Sequence, residues 1–330
     1  MRDLIKTDIR RFILTKWFLI AVALTLLQAM DSARNNFISL SGLSPEPLTY
    51  VLDVGFRMNV RAVVILAVYA AFTAGYDRFS GVVRNRLITG YSKTQIYFSK
   101  LTVTLIEAAV ICTCELIFCF CYGWESFFRA IPVGKTVRVF LLTYFGYALF
   151  AVFSTMIGML CERMVVAVIV SGVLCYGLIS FCEPQTHILS QPKEYVFDGP
   201  EYKDVTDPVT GEVTTVEVER TGPPNVEANS EYVDEPLQSA IRFTYWINPA
   251  RAFTSAQYNS ISVMLIDPSE DSVKDVTEEA IEAEGGWETL KDEFEKKEMD
   301  DTPFTVLILL AVSAAVTAYG ITFFNKREIN

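Results

Sequence analysis

Residues 101–122 read LTVTLIEAAVICTCELIFCFCY. A helix that crosses the hydrocarbon core of a bilayer needs about 20 mainly apolar residues. Leu101–Tyr122 supplies such a run with only two charges, Glu107 and Glu115. At that depth the backbone must satisfy its own hydrogen bonds, and a helix does so within one segment. Five more stretches on either side approach or reach the same length: Trp17–Met30, Arg61–Tyr76, Val137–Cys161, Val165–Cys182 and Pro303–Phe324. The expected fold is mainly α, a polytopic membrane protein with six transmembrane helices. Arg61–Tyr76 is short for a span. It is expected to begin earlier, with Arg57 and Arg61 snorkelling or lining a polar interior.

The charge is distributed as unevenly as the hydrophobicity. The chain of 330 residues is 51% hydrophobic, yet its net charge is −11. Residues 183–303 hold 28 Asp+Glu against 9 Lys+Arg, a net of −19, and the remainder is basic, at +8. That split excludes one uniform soluble domain and excludes a disordered chain. It marks residues 183–302 as an acidic insertion between the fifth and sixth spans. Within it, Tyr202–Thr206 and Glu212–Glu219 read as strands flanking the turn Asp207–Gly211. Residues 236–266 read as short helices on the outer membrane surface, broken at Asn248-Pro249, and residues 272–299 as a charged helix interrupted at Gly285-Gly286. The expected insertion is α+β.

Short-loop Lys and Arg fix the orientation. Arg2, Lys6, Arg10, Arg11 and Lys16 precede the first span, Arg78, Arg84, Arg86, Lys93 and Lys100 follow the second, and Lys326 and Arg327 follow the last. With six spans these lie on one side, so both termini are expected in the cytoplasm and residues 183–302 outside the cell. Arg129 and Lys135 in the loop 123–136 run against the trend and are outnumbered. Residues 1–16 read as an amphipathic interfacial helix, with Leu4, Ile5, Ile9, Phe12 and Ile13 at helical spacing. A cleaved signal peptide is disfavoured, because the lead-in is long and no A-x-A site follows the apolar run. The turn at 161–164 is tight, so the fourth and fifth spans are expected to form an antiparallel pair.

Catalytic patterns fail on inspection. Val133-Gly134-Lys135-Thr136 ends like a phosphate-binding loop, but the first glycine of that loop would fall on Arg129 and no strand precedes it. It reads as a helix start. No H-E-x-x-H, G-x-S-x-G or C-x-x-C occurs, and His187 is the sole histidine. The seven cysteines, Cys112, Cys114, Cys119, Cys121, Cys161, Cys175 and Cys182, sit in or beside spans and read as packing residues. No metal site is expected, because the cysteine pairs lack further ligands and the outer acids lack a calcium loop.

Two residues carry more weight. Glu107 and Glu115 are ionisable groups at bilayer depth, which normally face protein or a wet cavity. Eight residues place them about 80° apart around the helix and ~12 Å apart along it. They are candidates for a polar translocation path. The plainer alternative is a helix–helix hydrogen bond, or an ion pair with Arg57 or Arg61.

The connection after the second span carries an ordered series: Asp77, Gly81, Arg84-Asn85, Gly90, Ser92-Lys93, then Lys100 opening the third span. This series resembles the corresponding segment in permeases of the type-two, exporter-like ABC transporter family. The interfacial helix ending at Lys16-Trp17, the six spans and the basic tail are similar to that family too. The resemblance implies that residues 77–100 form a coupling segment, with Asp77, Gly81, Arg84, Asn85, Gly90, Ser92 and Lys93 serving contact with a cytoplasmic ABC ATPase dimer. It implies a second permease copy or paralogue, and a cell membrane location, the plasma membrane of a bacterium. ATP and Mg would be bound by the ATPase, so this chain has no cofactor of its own and is not an enzyme. No nucleic-acid partner is expected. The alternative is a membrane sensor or interaction protein whose acidic outer domain binds a peptide, ion or partner. An intramembrane enzyme is the third reading.

Overall fold

The computed structural model describes residues 1–12, 15–41, 48–123, 133–190, 193–197, 201–206, 213–218, 225–229, 232–254 and 287–327. Nine helices and four strands are found there: α1 (Arg2–Phe12), α2 (Lys16–Ser41), α3 (Leu48–Phe79), α4 (Val82–Ile88), α5 (Lys93–Gly123), α6 (Val133–Leu160), α7 (Met164–Ser190), β1 (Glu194–Phe197), β2 (Glu201–Thr206), β3 (Val213–Val218), β4 (Asn225–Ala228), α8 (Leu237–Ile247) and α9 (Trp287–Lys326). The protein is mainly helical. Two compact units divide it, residues 1–183 with 245–330, and residues 184–244.

Among the described residues five helices are long and apolar enough to cross a membrane: Arg61–Phe79 of α3, Lys93–Phe118 of α5, Val137–Leu160 of α6, Met164–Cys182 of α7 and Pro303–Lys326 of α9. This is one fewer than the six expected. The missing one is Trp17–Met30, which lies in α2. It meets the measure only jointly with α1, from which it is bent by 65°. The part of α2 whose side chains are described, Lys16–Met30, is shorter than a full span on its own. α3 begins at Leu48, well before Arg61, as the short second stretch required. Arg61 is exposed, and the Arg57 side chain lies outside the described residues. The side chains of Arg129, Lys135, Cys119, Cys121 and His187 also lie outside them.

Small residues set the helix packing of the first unit. α3 lies closest to α6, which also packs on α5. A Cβ on Gly158 would stand 2.6 Å from the Ala74 Cβ and 2.9 Å from the Ala71 carbonyl oxygen. Gly158 of α6 faces Ala71 and Ala74 of α3, and Ser154, four residues before it, reaches Ala67 through the Ser171 hydroxyl. Small side chains at this spacing let backbones approach where the apolar solvent offers no hydrophobic drive. α6 and α7 are joined by the tight turn expected, but α6 makes its closest approaches to α3 and α5 rather than to α7. α7 is anchored on α3 and α6 by the Ser171 hydroxyl, 3.1 Å from the Ala67 carbonyl and 2.9 Å from Ser154 Oγ. Its other faces expose Val166, Ile169, Val173 and Phe181. Leu307, Leu310, Tyr319 and Phe323 of α9 are exposed in the same way. Apolar exposure on this scale belongs to a surface that meets lipid or another chain.

The segment after α8 departs from its reading as a surface layer. The helix does stop at Asn248-Pro249, but the following residues enter the core. Ala250, Arg251 and Ala252 are buried, and Phe253 stacks on Phe150 at 6.1 Å and meets Tyr147 edge-on at 5.9 Å. Asn248 Nδ2 donates to the Leu178 carbonyl at 2.8 Å. Gly146 makes the room, since a Cβ there would stand 2.5 Å from the Phe253 ring. α9 continues through Pro303, the residue at which the last apolar stretch begins.

In the second unit β1 pairs antiparallel with β4 and β2 with β3. The register Thr206↔Val213 closes a hairpin over residues 207–212, which lie outside the described residues. Gln185 Nε2 donates to Thr244 Oγ1 at 2.8 Å.

Candidate functional site

The basic connection folds into α4, a seven-residue helix held between two glycines. Gly81 opens it at φ 73 and Gly90 closes it at φ 93. Both values lie in the left-handed region that side-chain-bearing residues avoid. At the far end Tyr91 N–H donates to the Arg86 carbonyl at 3.1 Å and Gly90 N–H to the Leu87 carbonyl at 3.1 Å. These paired bonds satisfy carbonyls that the helix end would otherwise leave open. Ser92 then caps α5. Its hydroxyl accepts from Gln95 N–H at 3.2 Å, and its own N–H donates to Gln95 Oε1 at 3.0 Å. The chain is thus fixed at both turns, and α4 stands as a rigid short rod.

The rod has two faces. Arg84, Asn85 and Ile88 are exposed, Ile88 to 74%. Val83 and Arg86 are buried, Val83 among Ile96, Tyr97, Met159 and Phe324. Arg86 reaches past α4 to Asp8 of α1. Its Nη1 is 3.0 Å from Asp8 Oδ2, and its Nη2 contacts Oδ1. The Ser99 hydroxyl donates to the same carboxylate at 2.9 Å. Asp8 is fully buried, so this bidentate pairing is what makes its charge tolerable there.

A second carboxylate lies in the same region. Asp77, near the end of α3, is 2% exposed and faces Arg11 Nη1 at 3.2 Å and Lys100 Nζ at 3.6 Å. The cluster therefore draws on α1, α3, α4 and α5. Asp8 is paired with Arg86, and Asp77 lies against two cations. The arrangement suits mechanical fixation of α4 to the spans.

Asp77 and Lys93, both expected in the coupling set, serve contacts within the chain. Lys93 Nζ donates to the Asn325 carbonyl at 3.0 Å and to the Arg327 carbonyl, at the end of α9. Asn325 Nδ2 donates to Thr94 Oγ1 at 3.1 Å. Arg327 reaches the Leu160 carbonyl and Glu162, the latter at 2.5 Å, while Arg78 Nη1 donates to the carbonyls of Leu160 and Cys161 at 3.2 Å. Two guanidinium groups thus cover the carbonyls that end α6, the favourable placement for cations at a helix C-terminus.

Glu107 and Glu115 are both fully buried. Tyr69 Oη donates to Glu107 Oε1 at 3.4 Å, and the Tyr147 hydroxyl donates to Glu115 Oε2. Each carboxyl is thus held by a tyrosine from a neighbouring helix, α3 for Glu107 and α6 for Glu115. The second oxygens, Glu107 Oε2 and Glu115 Oε1, are buried without a hydrogen-bond partner among the described residues. Among the described residues no group of three or more His, Cys, Asp or Glu side chains is arranged to hold a metal ion.

The Asp8–Arg86 pair is not among the residues that the sequence marks out. The signal was present: Asp8 lies four residues after Leu4, on the apolar face of α1, where an acid needs a buried cation.

No model of a known protein family matches the chain, and no curated protein matches it.

Proposed function

We propose that the chain is the permease subunit of an ATP-driven exporter of the ABC type-two class, with α4 as the element that receives force from a separate cytoplasmic ATPase. One observation carries this reading. α4 is bounded by two left-handed glycines, turns Arg84, Asn85 and Ile88 outward, and is locked from behind by the Arg86–Asp8 pair. A push on its outer face would pass through Arg86 to α1 and through Asp77, Arg11 and Lys100 to α3 and α5.

On this reading α2 is the first of six spans, both termini and α4 are cytoplasmic, and residues 183–302 form an extracytoplasmic α+β insertion. The location is the plasma membrane of a bacterium. Two permeases, identical or paralogous, and two ATPase subunits complete the assembly, with ATP and Mg on the ATPase. Glu107 and Glu115 are carboxyls that a polar cargo would meet once the helices around them part.

The experiment is co-purification with an ABC ATPase subunit co-expressed with this chain, the first candidate being any encoded in a neighbouring reading frame. Arg84→Glu is expected to abolish association and stimulation of ATP hydrolysis, while leaving the unfolding midpoint of the permease unchanged because Arg84 is exposed. Association that survives both Arg84→Glu and Ile88→Asp overturns the reading.

A further inference from the structure

Two cavities meet at the bend between α1 and α2. The first, about 350 Å³, is lined by Arg11, Thr15, Lys16, Trp17, Phe72 and Tyr76. The second, about 340 Å³, is almost wholly apolar and includes Ile20, Leu24, Val64 and Val68 in its walls. Trp17 and Phe72 line both, so the two cavities adjoin, the basic one forming the mouth of the apolar groove. Its aromatic side is built in sequence: Trp17 lies 5.7 Å from Phe72, Phe72 stacks on Tyr76 at 6.1 Å, and the Arg11 guanidinium sits 5.8 Å from the Tyr76 ring centre.

The polarity is graded along α3. Tyr76 at the mouth and Val64 in the groove are twelve residues apart on α3, about 18 Å along the helix. That is close to one leaflet, half of a hydrocarbon core about 30 Å thick. The Asp77 carboxylate beside the mouth faces Lys100 as well as Arg11, and Lys16 is exposed, so the mouth retains positive charge. The mouth lies at the end of α3 next to α4, the cytoplasmic side by the distribution of basic residues.

We infer that this groove with its mouth is a binding site for one anionic phospholipid of the inner leaflet, its phosphate at Arg11 and Lys16 and an acyl chain along Trp17, Leu24, Val64 and Val68. Charge complementarity at the mouth and an apolar groove one leaflet long select that occupant over a zwitterionic lipid. The inference is independent of any ATPase partner and goes beyond the transport reading.

The full-length protein, purified in detergent, is titrated with phosphatidylglycerol or phosphatidylcholine and observed by native mass spectrometry. Phosphatidylglycerol is expected to be retained preferentially, with one tight site per chain. Lys16→Glu is expected to lower its retention about fivefold or more, the scale of one basic residue at a membrane surface. Leu24→Trp, which fills the groove, is expected to lower retention without touching the charges. Equal retention of the two lipids, or unchanged phosphatidylglycerol binding in both variants, overturns the inference. Efficient oxidative cross-linking of two copies through Leu24→Cys, beyond that of the unaltered chain, also overturns it, because protein would then cover the groove.

Discussion

Asp8 and Arg86 are a buried pair whose partners come from helices 78 residues apart in sequence. Removing one partner strands a charge away from water, which typically costs about 3–5 kcal/mol. Arg86→Ala and Asp8→Asn are each expected to lower the unfolding midpoint in detergent substantially, read by tryptophan fluorescence or size-exclusion chromatography after heating. Asp8→Leu combined with Arg86→Leu should recover part of that loss, since an apolar replacement of both strands no charge. Gly146 offers a second residue-scale test, steric rather than electrostatic. Gly146→Ala places a Cβ 2.5 Å from the Phe253 ring, and overpacking of this kind costs roughly 1–3 kcal/mol. Phe253→Leu in the Gly146→Ala background should return stability toward the unaltered chain. If the two changes add instead, the insertion of Phe253 beside Gly146 is wrong. The buried acids Glu107 and Glu115 were legible from sequence as groups needing partners. Their partners were not, because Tyr69 and Tyr147 come from other helices and carry no local signature.

At the scale of elements, α4 concentrates what the sequence states most clearly. Gly81 and Gly90 at the two ends of a basic segment are turn signals whatever the function, and both adopt positive φ. Gly81→Ala and Gly90→Ala are each expected to cost about 1–2 kcal/mol, the penalty for a Cβ in left-handed backbone. Neither would clash, as nothing lies within 4 Å of the added atom. The loss should therefore appear in the unfolding midpoint, with expression maintained. Unchanged midpoints in both variants would show that the backbone there is not left-handed. The helix bounds were harder to read than the turns. Pro303 and Pro184 both lie inside helices, although proline costs a hydrogen bond and favours a stop. α2 shows the opposite case: its apolar run is clear, but Asp31, Arg34, Asn35 and Asn36 continue the same helix and blur its end. The entry of Ala250–Phe253 into the core was not legible, because a short apolar stretch beside Asn-Pro reads equally as a surface layer.

For the molecule as a whole, the charge split remains the strongest sequence-level constraint, and it makes a topological claim that one thiol can test. Cys161 lies between α6 and α7, partly exposed, next to Arg78 and Arg327. Cys112, Cys175 and Cys182 are buried. If both termini and α4 are cytoplasmic, the connection between α6 and α7 is cytoplasmic as well. A membrane-impermeant maleimide should then label the unaltered chain more than Cys161→Ser in inside-out vesicles, and to the same extent as Cys161→Ser in right-side-out vesicles. The pH dependence gives a further check on the site itself. Burial pushes the Cys161 thiol above its ordinary value, and the Arg327 and Arg78 guanidiniums offset this only in part. The thiolate is the reactive form. A raised value therefore means a smaller thiolate fraction at neutral pH, slower labelling than a free thiol, and a rate that climbs into a more alkaline range. Arg327→Gln removes one stabilising cation and should move that rise to still higher pH. Protease added to right-side-out vesicles should cut within residues 183–302 and leave the basic tail at Lys326-Arg327 intact. Labelling of Cys161 from outside, with protection of the acidic segment, would invert the orientation and place α4 beyond the reach of any cytoplasmic ATPase.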